Sequence, residues 1–190
     1  MNNAAGEGRA PRRGRIQVYT GDGKGKTTAA LGLAVRAAGA GLRVAIVYFD
    51  KGGDHYSERR VLTEHLGGLV DFFVSGLPRF DPVKRNFRFG VTPEDLSEAR
   101  RGLDLSRGLL AGGQYDVLVL DEFLTSIKTG LIPEADALEI IKSRPPETEL
   151  VLTGRGCPPA IIALADLVSE IKDVKHYLRA GVPAREGLDF

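Results

Sequence analysis

A mostly parallel α/β sheet with helices on both faces is the fold this sequence predicts, and three observations predict it. Short apolar runs alternate with longer stretches of helical periodicity from residue 16 onward. Several of those runs are apolar without a break, the pattern of strands covered on both sides. The first run empties into a glycine-rich loop that leads into a helix of small side chains, the order strand, loop, helix.

Taken in order, the first strand covers residues 16–19 and is followed by the loop TGDGKGKTTAA at 20–30. The helix begins near Thr27, and Ala29, Ala30, Leu31, Leu33, Ala34, Ala37 and Ala38 offer it small apolar side chains for burial. Residues 42–49 read as a buried strand, with Val44, Ala45, Ile46 and Val47 unbroken, and Asp50, Lys51, Gly52 and Gly53 end it. Further strands are expected at 69–75, 117–121, 150–153 and 167–171, with helices at 57–65, 93–111, 133–143 and 159–166. Pro93, Pro133 and Pro159 stand where helices begin, because proline's fixed φ suits a first turn whose N–H is unpaired anyway. No internal repeat is visible. Residues 15–190 form one expected domain. Residues 1–14, rich in Gly, Arg, Pro and Asn, have little to bury and are expected to be disordered in isolation.

Bulk properties exclude several classes. A chain of 190 residues with 43% hydrophobic content has enough apolar material for a full core. Lys and Arg total 26 against 25 Asp and Glu, so no global basic field draws the chain to nucleic acid. Any anion site must be local. The single cysteine, Cys157, rules out an internal disulfide and fits a reducing compartment. No apolar run approaches the roughly 20 residues that cross a bilayer. The first residues lack the apolar stretch of a secretory signal, so a cytoplasmic protein without membrane or nucleic-acid partners is expected.

The chemistry concentrates at three predicted strand ends. In the loop, Gly21, Gly23 and Gly25 allow backbone angles at which successive N–H groups converge on a polyphosphate. Lys26 adds a mobile charge and Thr27 a hydroxyl that can ligate Mg²⁺. Gly21, Asp22, Gly23, Lys24, Gly25, Lys26, Thr27 and Thr28 are therefore the candidate phosphate contacts. The strict phosphate-loop pattern wants glycine five residues before Gly25, where Thr20 stands, so the loop is a variant. VLVLDE at 117–122 delivers Asp121 and Glu122 at the end of an apolar strand, on the edge where a parallel sheet gathers ligands. With Thr27 they are the candidate Mg²⁺ donors.

The third strand end carries TGRGCPP at 153–159, whose Arg155 can fork onto an oxyanion. Cys157 has no base beside it in sequence and is read as a packing residue. His55, His65 and His176 show no metal-ligand spacing. Residues 77–91 interleave Arg79, Lys84, Arg85 and Arg88 with Phe80, Phe87 and Phe89; a substrate loop or packed crossover is expected there ahead of a nucleic-acid patch.

With these motifs in place, residues 15–190 resemble the ATP:corrinoid adenosyltransferases of cobalamin synthesis. The resemblance rests on TGDGKGKTTAA at Thr20, FDKGG and SERR between Phe49 and Arg60, VLVLDE at Val117, and the block from Thr153 to Phe190. The variant loop without the leading glycine is itself usual in that family. The resemblance implies a RecA-type P-loop fold, a homodimer, and ATP with Mg²⁺ at the loop beneath a corrinoid reduced to Co(I) by a separate electron donor. Cobalt attacks the ribose 5′-carbon and triphosphate leaves. Such a nucleophile needs no activating base, so no residue is expected to act as acid, base or nucleophile; Lys26 and Arg155 would position and neutralise the triphosphate. The family's N-terminal segment can cap the site, which offers a role to Arg12, Arg13 and Arg15. Members usually carry Gly, an aromatic, one residue and a second aromatic in the corrinoid-facing loop. Here Gly76 is followed by Leu77, Pro78, Arg79 and Phe80, leaving Phe80 as the candidate corrinoid contact. A P-loop ATPase or kinase, and a paralogue that binds without transfer, are the alternatives.

Overall fold

The structure, a computed structural model, describes residues 13–81, 86–88 and 90–190, and of Phe80, Asp81, Asn86 and Phe87 the backbone alone. Its main sheet contains β1 (Ile16–Thr20), β2 (Val44–Phe49), β3 (Val70–Ser75), β6 (Val117–Asp121), β7 (Glu149–Thr153) and β8 (Leu167–Glu170). The helices are α1 (Lys26–Gly39), α2 (Glu58–His65), α3 (Pro93–Gly112), α4 (Phe123–Lys128), α5 (Glu134–Lys142) and α6 (Pro159–Leu164). A short antiparallel pair, β4 (Phe80–Asp81) and β5 (Asn86–Phe87), stands apart from the sheet.

The six main strands are all parallel, in the order β3-β2-β6-β7-β1-β8. The chain leaves β1 and returns at β2, so α1 passes over β7 and β6 on the way. Every loop at the carboxyl ends of these strands therefore opens on one edge of the sheet, where parallel α/β folds bind ligands.

Strict alternation splits the apolar strands between two cores. Ala45, Val47 and Phe49 of β2, with Leu118 and Leu120 of β6, join the core beneath α3, α4, α5 and α6. Val44, Ile46 and Tyr48, with Val117 and Val119, face α1 and α2. Unbroken apolar strands are thus explained by helices on both sides. In α1 the core-facing stripe is Ala30, Ala34, Ala37 and Ala38, at helical spacing. Ala29, expected to be buried, is exposed because its position falls off that stripe. These small side chains pack α1 against the sheet core.

Strand ends fall within two residues of the sequence expectation. The sequence missed α4, β4, β5 and a 3₁₀ turn at Tyr177–Ala180, all six residues or fewer and too short for a periodic signal. Within residues 77–91, Arg88 pairs with both oxygens of Asp95, at 2.7 and 2.6 Å. Lys84, Arg85 and Phe89 lie outside the described residues, as does the side chain of Phe87. At the other end of the sheet, Arg15 pairs with Asp166 at 2.9 Å. It precedes β1 and so sits at the edge opposite the loop. Arg12 lies outside the described residues.

Asp95 also closes the capping box of α3: it accepts from the Thr92 N–H, while Thr92 Oγ1 accepts from the Asp95 N–H. The Arg88 guanidinium holds the Asp95 carboxyl far below the usual carboxylate range. A depressed folded-state value means the stabilisation is complete above the unfolded value of about 3.9 and fades as pH falls toward the folded one. Asp95→Asn is expected to cost about 2 kcal/mol at pH 7. In urea titrations the gap between variant and parent should narrow steadily below about pH 4.

Candidate active site at the carboxyl edge of the sheet

Gly25 occupies φ 121°, a left-handed region that side chains resist, and turns the chain into α1. Gly21 has φ 101°, and a Cβ on it would stand 2.4 Å from the Ile171 carbonyl oxygen. The loop is pressed against the segment following β8. Gly23 donates its N–H to Ile171 O at 2.7 Å, so this amide is engaged there in the structure. Lys26 is buried at the start of α1 and donates to Gly23 O at 2.6 Å. Burial pulls its ammonium below the ordinary lysine value, with Glu122 acting in the opposite sense. Asp22 and Thr28 are exposed. Lys24 turns outward instead, donating to Leu188 O at 2.6 Å and pairing with Asp189 at 3.2 Å.

The acid strand meets the loop from two strands away. Thr27 Oγ1 donates to Asp121 Oδ2 at 3.3 Å. The other oxygen, Oδ1, accepts from Thr153 Oγ1 at 2.7 Å, and Thr153 Oγ1 accepts in turn from the Glu122 N–H at 2.9 Å. Strand β7 thereby fixes the rotamer of Asp121 with a hydroxyl. Glu122 sits at φ 57°, a strained setting for a residue with a side chain. That setting aims its carboxylate at Thr125 Oγ1, which donates to it at 2.5 Å and accepts from the Arg155 N–H at 2.9 Å. Arg155 itself is exposed, and its charge lowers the proton affinity of Lys26. Loop, acid strand and arginine turn thus meet at one edge of the sheet.

Lys51 was absent from the candidate residues. Its Nζ donates to Thr27 Oγ1 at 2.8 Å and Asp121 Oδ2 at 2.5 Å. Burial opposes this charge, yet Asp121 and Glu122 outweigh it and hold the ammonium above the usual lysine range. The sequence signal was the charge just past a buried strand; its meaning required knowing that β2 neighbours β6, with Tyr48 opposite Asp121. Arg59 supports the turn, donating to the carbonyls of Lys51 and Gly53 at 2.6 and 2.5 Å from a position over the rings of Tyr48 and Tyr56.

The same turn locks to the loop after β3. Asp50, at φ 53°, accepts from Arg79 Nε at 2.7 Å. The side chain of Phe80 lies outside the described residues. Burial pushes the Cys157 thiol up to about 11, which leaves it a poor nucleophile. Among the described residues no three His, Cys, Asp or Glu side chains gather as a metal cage. A cation here would depend on Thr27, Asp121, Glu122 and oxygens of a bound anion, a set that suits a hard ion such as Mg²⁺.

A parallel sheet, a glycine loop opening a helix and a strand-end acid meeting that loop define a P-loop-type nucleotide enzyme. The profile of the ATP:corrinoid adenosyltransferase BtuR/CobO/CobP family matches residues 12–190. A corrinoid adenosyltransferase of Escherichia coli (strain K12) is 37% identical over 178 residues, covering 94% of this chain and 86% of its own length. Corrinoid adenosyltransferase CobA of Salmonella typhimurium is 36% identical over 180 residues, with the same coverage. A corrinoid adenosyltransferase of Pseudomonas aeruginosa is 33% identical over 184 residues, covering 94% of this chain and 84% of its own. The chain belongs to the ATP:corrinoid adenosyltransferase family. Its reaction class is ATP-dependent adenosyl transfer to a corrinoid.

Proposed function

We propose that this chain moves the 5′-deoxyadenosyl group of ATP to the Co(I) of a reduced corrinoid and releases triphosphate, through the residues at the carboxyl edge of the sheet. The cobalt supplies the electron pair of the new Co–C bond, and the C5′–O bond breaks with its pair leaving on the triphosphate. The convergence of Thr27, Lys51 and Asp121 within 3.3 Å of one another carries the reading. Such a cluster suits the grip of a polyanion, and both oxygens of Asp121 are already engaged by Thr27, Lys51 and Thr153.

In this reading the loop of residues 21–28 binds the phosphates, chiefly through its free amides, Lys26 and the positive end of α1. Lys24 is reassigned from phosphate contact to anchor of the segment around Asp189, since that is where its ammonium lies. Thr27, Asp121 and Glu122 would hold Mg²⁺, which supplies charge neutralisation to the triphosphate. Arg155 adds a mobile cation at the mouth, and Phe80 is retained as the corrinoid contact. All of these groups position and neutralise.

A homodimer, a separate electron donor and a cytoplasmic setting belong to the same proposal. The exposed apolar side chains Ile162, Leu164, Leu167 and Val168, along α6 and β8, support a self-association surface. Among the described residues no helix is long and apolar enough to cross a membrane.

Incubation with ATP, Mg²⁺ and chemically reduced cobalamin should yield an adenosyl-cobalt product and triphosphate; ADP and phosphate in their place would reject the proposal. Lys26→Ala should weaken ATP binding by about 1.5–3 kcal/mol, the worth of a hydrogen bond to a charged group. Calorimetric titration with ATP checks this, and unchanged affinity would remove the loop from the site.

A further inference from the structure

The ammonium of Lys51 stands inside the oxygen set that the reading above gives to a divalent cation. It contacts Thr27 Oγ1 and Asp121 Oδ2 directly, and Glu122 Oε1 lies 3.9 Å away. Its side chain is only 15% exposed. The rings of Tyr48 and Tyr56 lie 5.9 and 5.8 Å from Nζ, so an aromatic wall backs the charge. The backbone beneath it is equally constrained. Arg59 holds the Lys51 carbonyl, and a Cβ on Gly52 would stand 2.3 Å from the carbonyl carbon of Leu77. Tertiary structure therefore builds this position; it is not one pose of a free surface lysine.

One set of oxygens cannot serve two cations together. A metal ion ligated by Thr27 Oγ1 and Asp121 Oδ2 at about 2.1 Å would meet the ammonium at short range, with strong like-charge repulsion in a partly buried site. We propose that Lys51 is a resident counter-ion that holds this oxygen set against divalent cations until the triphosphate arrives. The polyanion offers the ammonium a better partner and brings oxygen ligands for the metal, so metal and nucleotide enter together. This inference rests on the assignment of Thr27 and Asp121 as metal donors. It adds a reason for the metal to bind with ATP and not before it, because Lys51 pairs directly with Asp121 in the oxygen set the metal would need.

The test titrates Mn²⁺ into the full chain and follows the free-ion signal by electron paramagnetic resonance, with and without ATP. Without nucleotide, Lys51→Met should bind Mn²⁺ at least about tenfold more tightly than the parent, since a full charge leaves the donor set. With ATP present, that advantage should shrink. Lys51→Gln keeps a donor but removes the charge, and it should move in the same direction if Lys51→Met does not fold. Equal or weaker nucleotide-free Mn²⁺ binding in the folded variants overturns the proposal. Asp121→Asn separates the two levels of inference. If it weakens Mn²⁺ retention in the ATP complex while the Lys51 variants bind as the parent does, the metal assignment stands and the role of Lys51 falls. If it leaves that retention unchanged, both fall.

Discussion

Asp121→Ala is expected to cost about 3–5 kcal/mol of folding stability, because it strands the ammonium of Lys51 in a largely buried position. The carboxylate is 1% exposed, and its two oxygens are shared among Thr27, Lys51 and Thr153. Removing it leaves one cation and two hydroxyls without their common acceptor. Lys51→Met alone should cost less, since Asp121 keeps both hydroxyl donors. The double variant Lys51→Met/Asp121→Ala should be more stable than the sum of the single changes implies, because the stranded charge is gone. Urea unfolding of the four proteins closes this cycle, and strict additivity would mean that the two side chains do not interact. Adenosyl transfer should be lost in both proteins that lack Asp121.

Phe123→Ala is expected to cost a similar 3–5 kcal/mol for a different reason, the cavity left when a fully buried ring is deleted. Phe123 is wholly buried against Phe49, with ring centroids 5.3 Å apart in edge-to-face geometry. It follows Glu122 directly, so the cavity opens beneath the strained residue that presents a carboxylate at the carboxyl edge of the sheet. For a domain of this size the melting temperature should fall by about 10 °C or more. Val35→Ala, at a side chain 53% exposed, should change stability by less than about 0.5 kcal/mol and serves as the control. A melting temperature for Phe123→Ala within about 2 °C of the parent would show that this ring does not hold the acid end of β6 in place.

Both predictions concern the same strand end, and they show why some parts of the site could be read directly and others could not. Asp121 and Glu122 were visible because an apolar run ending in two acids is a local pattern. The role of Thr153 was not, although the residue stood in a recognised motif; its hydroxyl matters only because β7 lies between β1 and β6. Lys24 shows the opposite case. A lysine inside a phosphate loop suggests an anion contact, yet a carboxylate 165 positions later lies within 3.2 Å of it. Periodicity carries no information about such a partner. The short α4 and the β4–β5 pair escaped for a simpler reason, since two to six residues cannot establish a period.

The sequence by itself determined the parallel α/β class, the phosphate loop and the acids at the end of one strand. Each depends on spacing within a single segment, set by the helical and extended repeat. Tertiary structure alone decided that Lys51 shares an oxygen set with Thr27 and Asp121, that Gly21 must lack a side chain because of Ile171, and that Arg15 lies at the far edge of the sheet. Strand order and the direction in which each strand runs fix those relations. They follow from packing two faces of one sheet, a property of the whole chain that no short window contains.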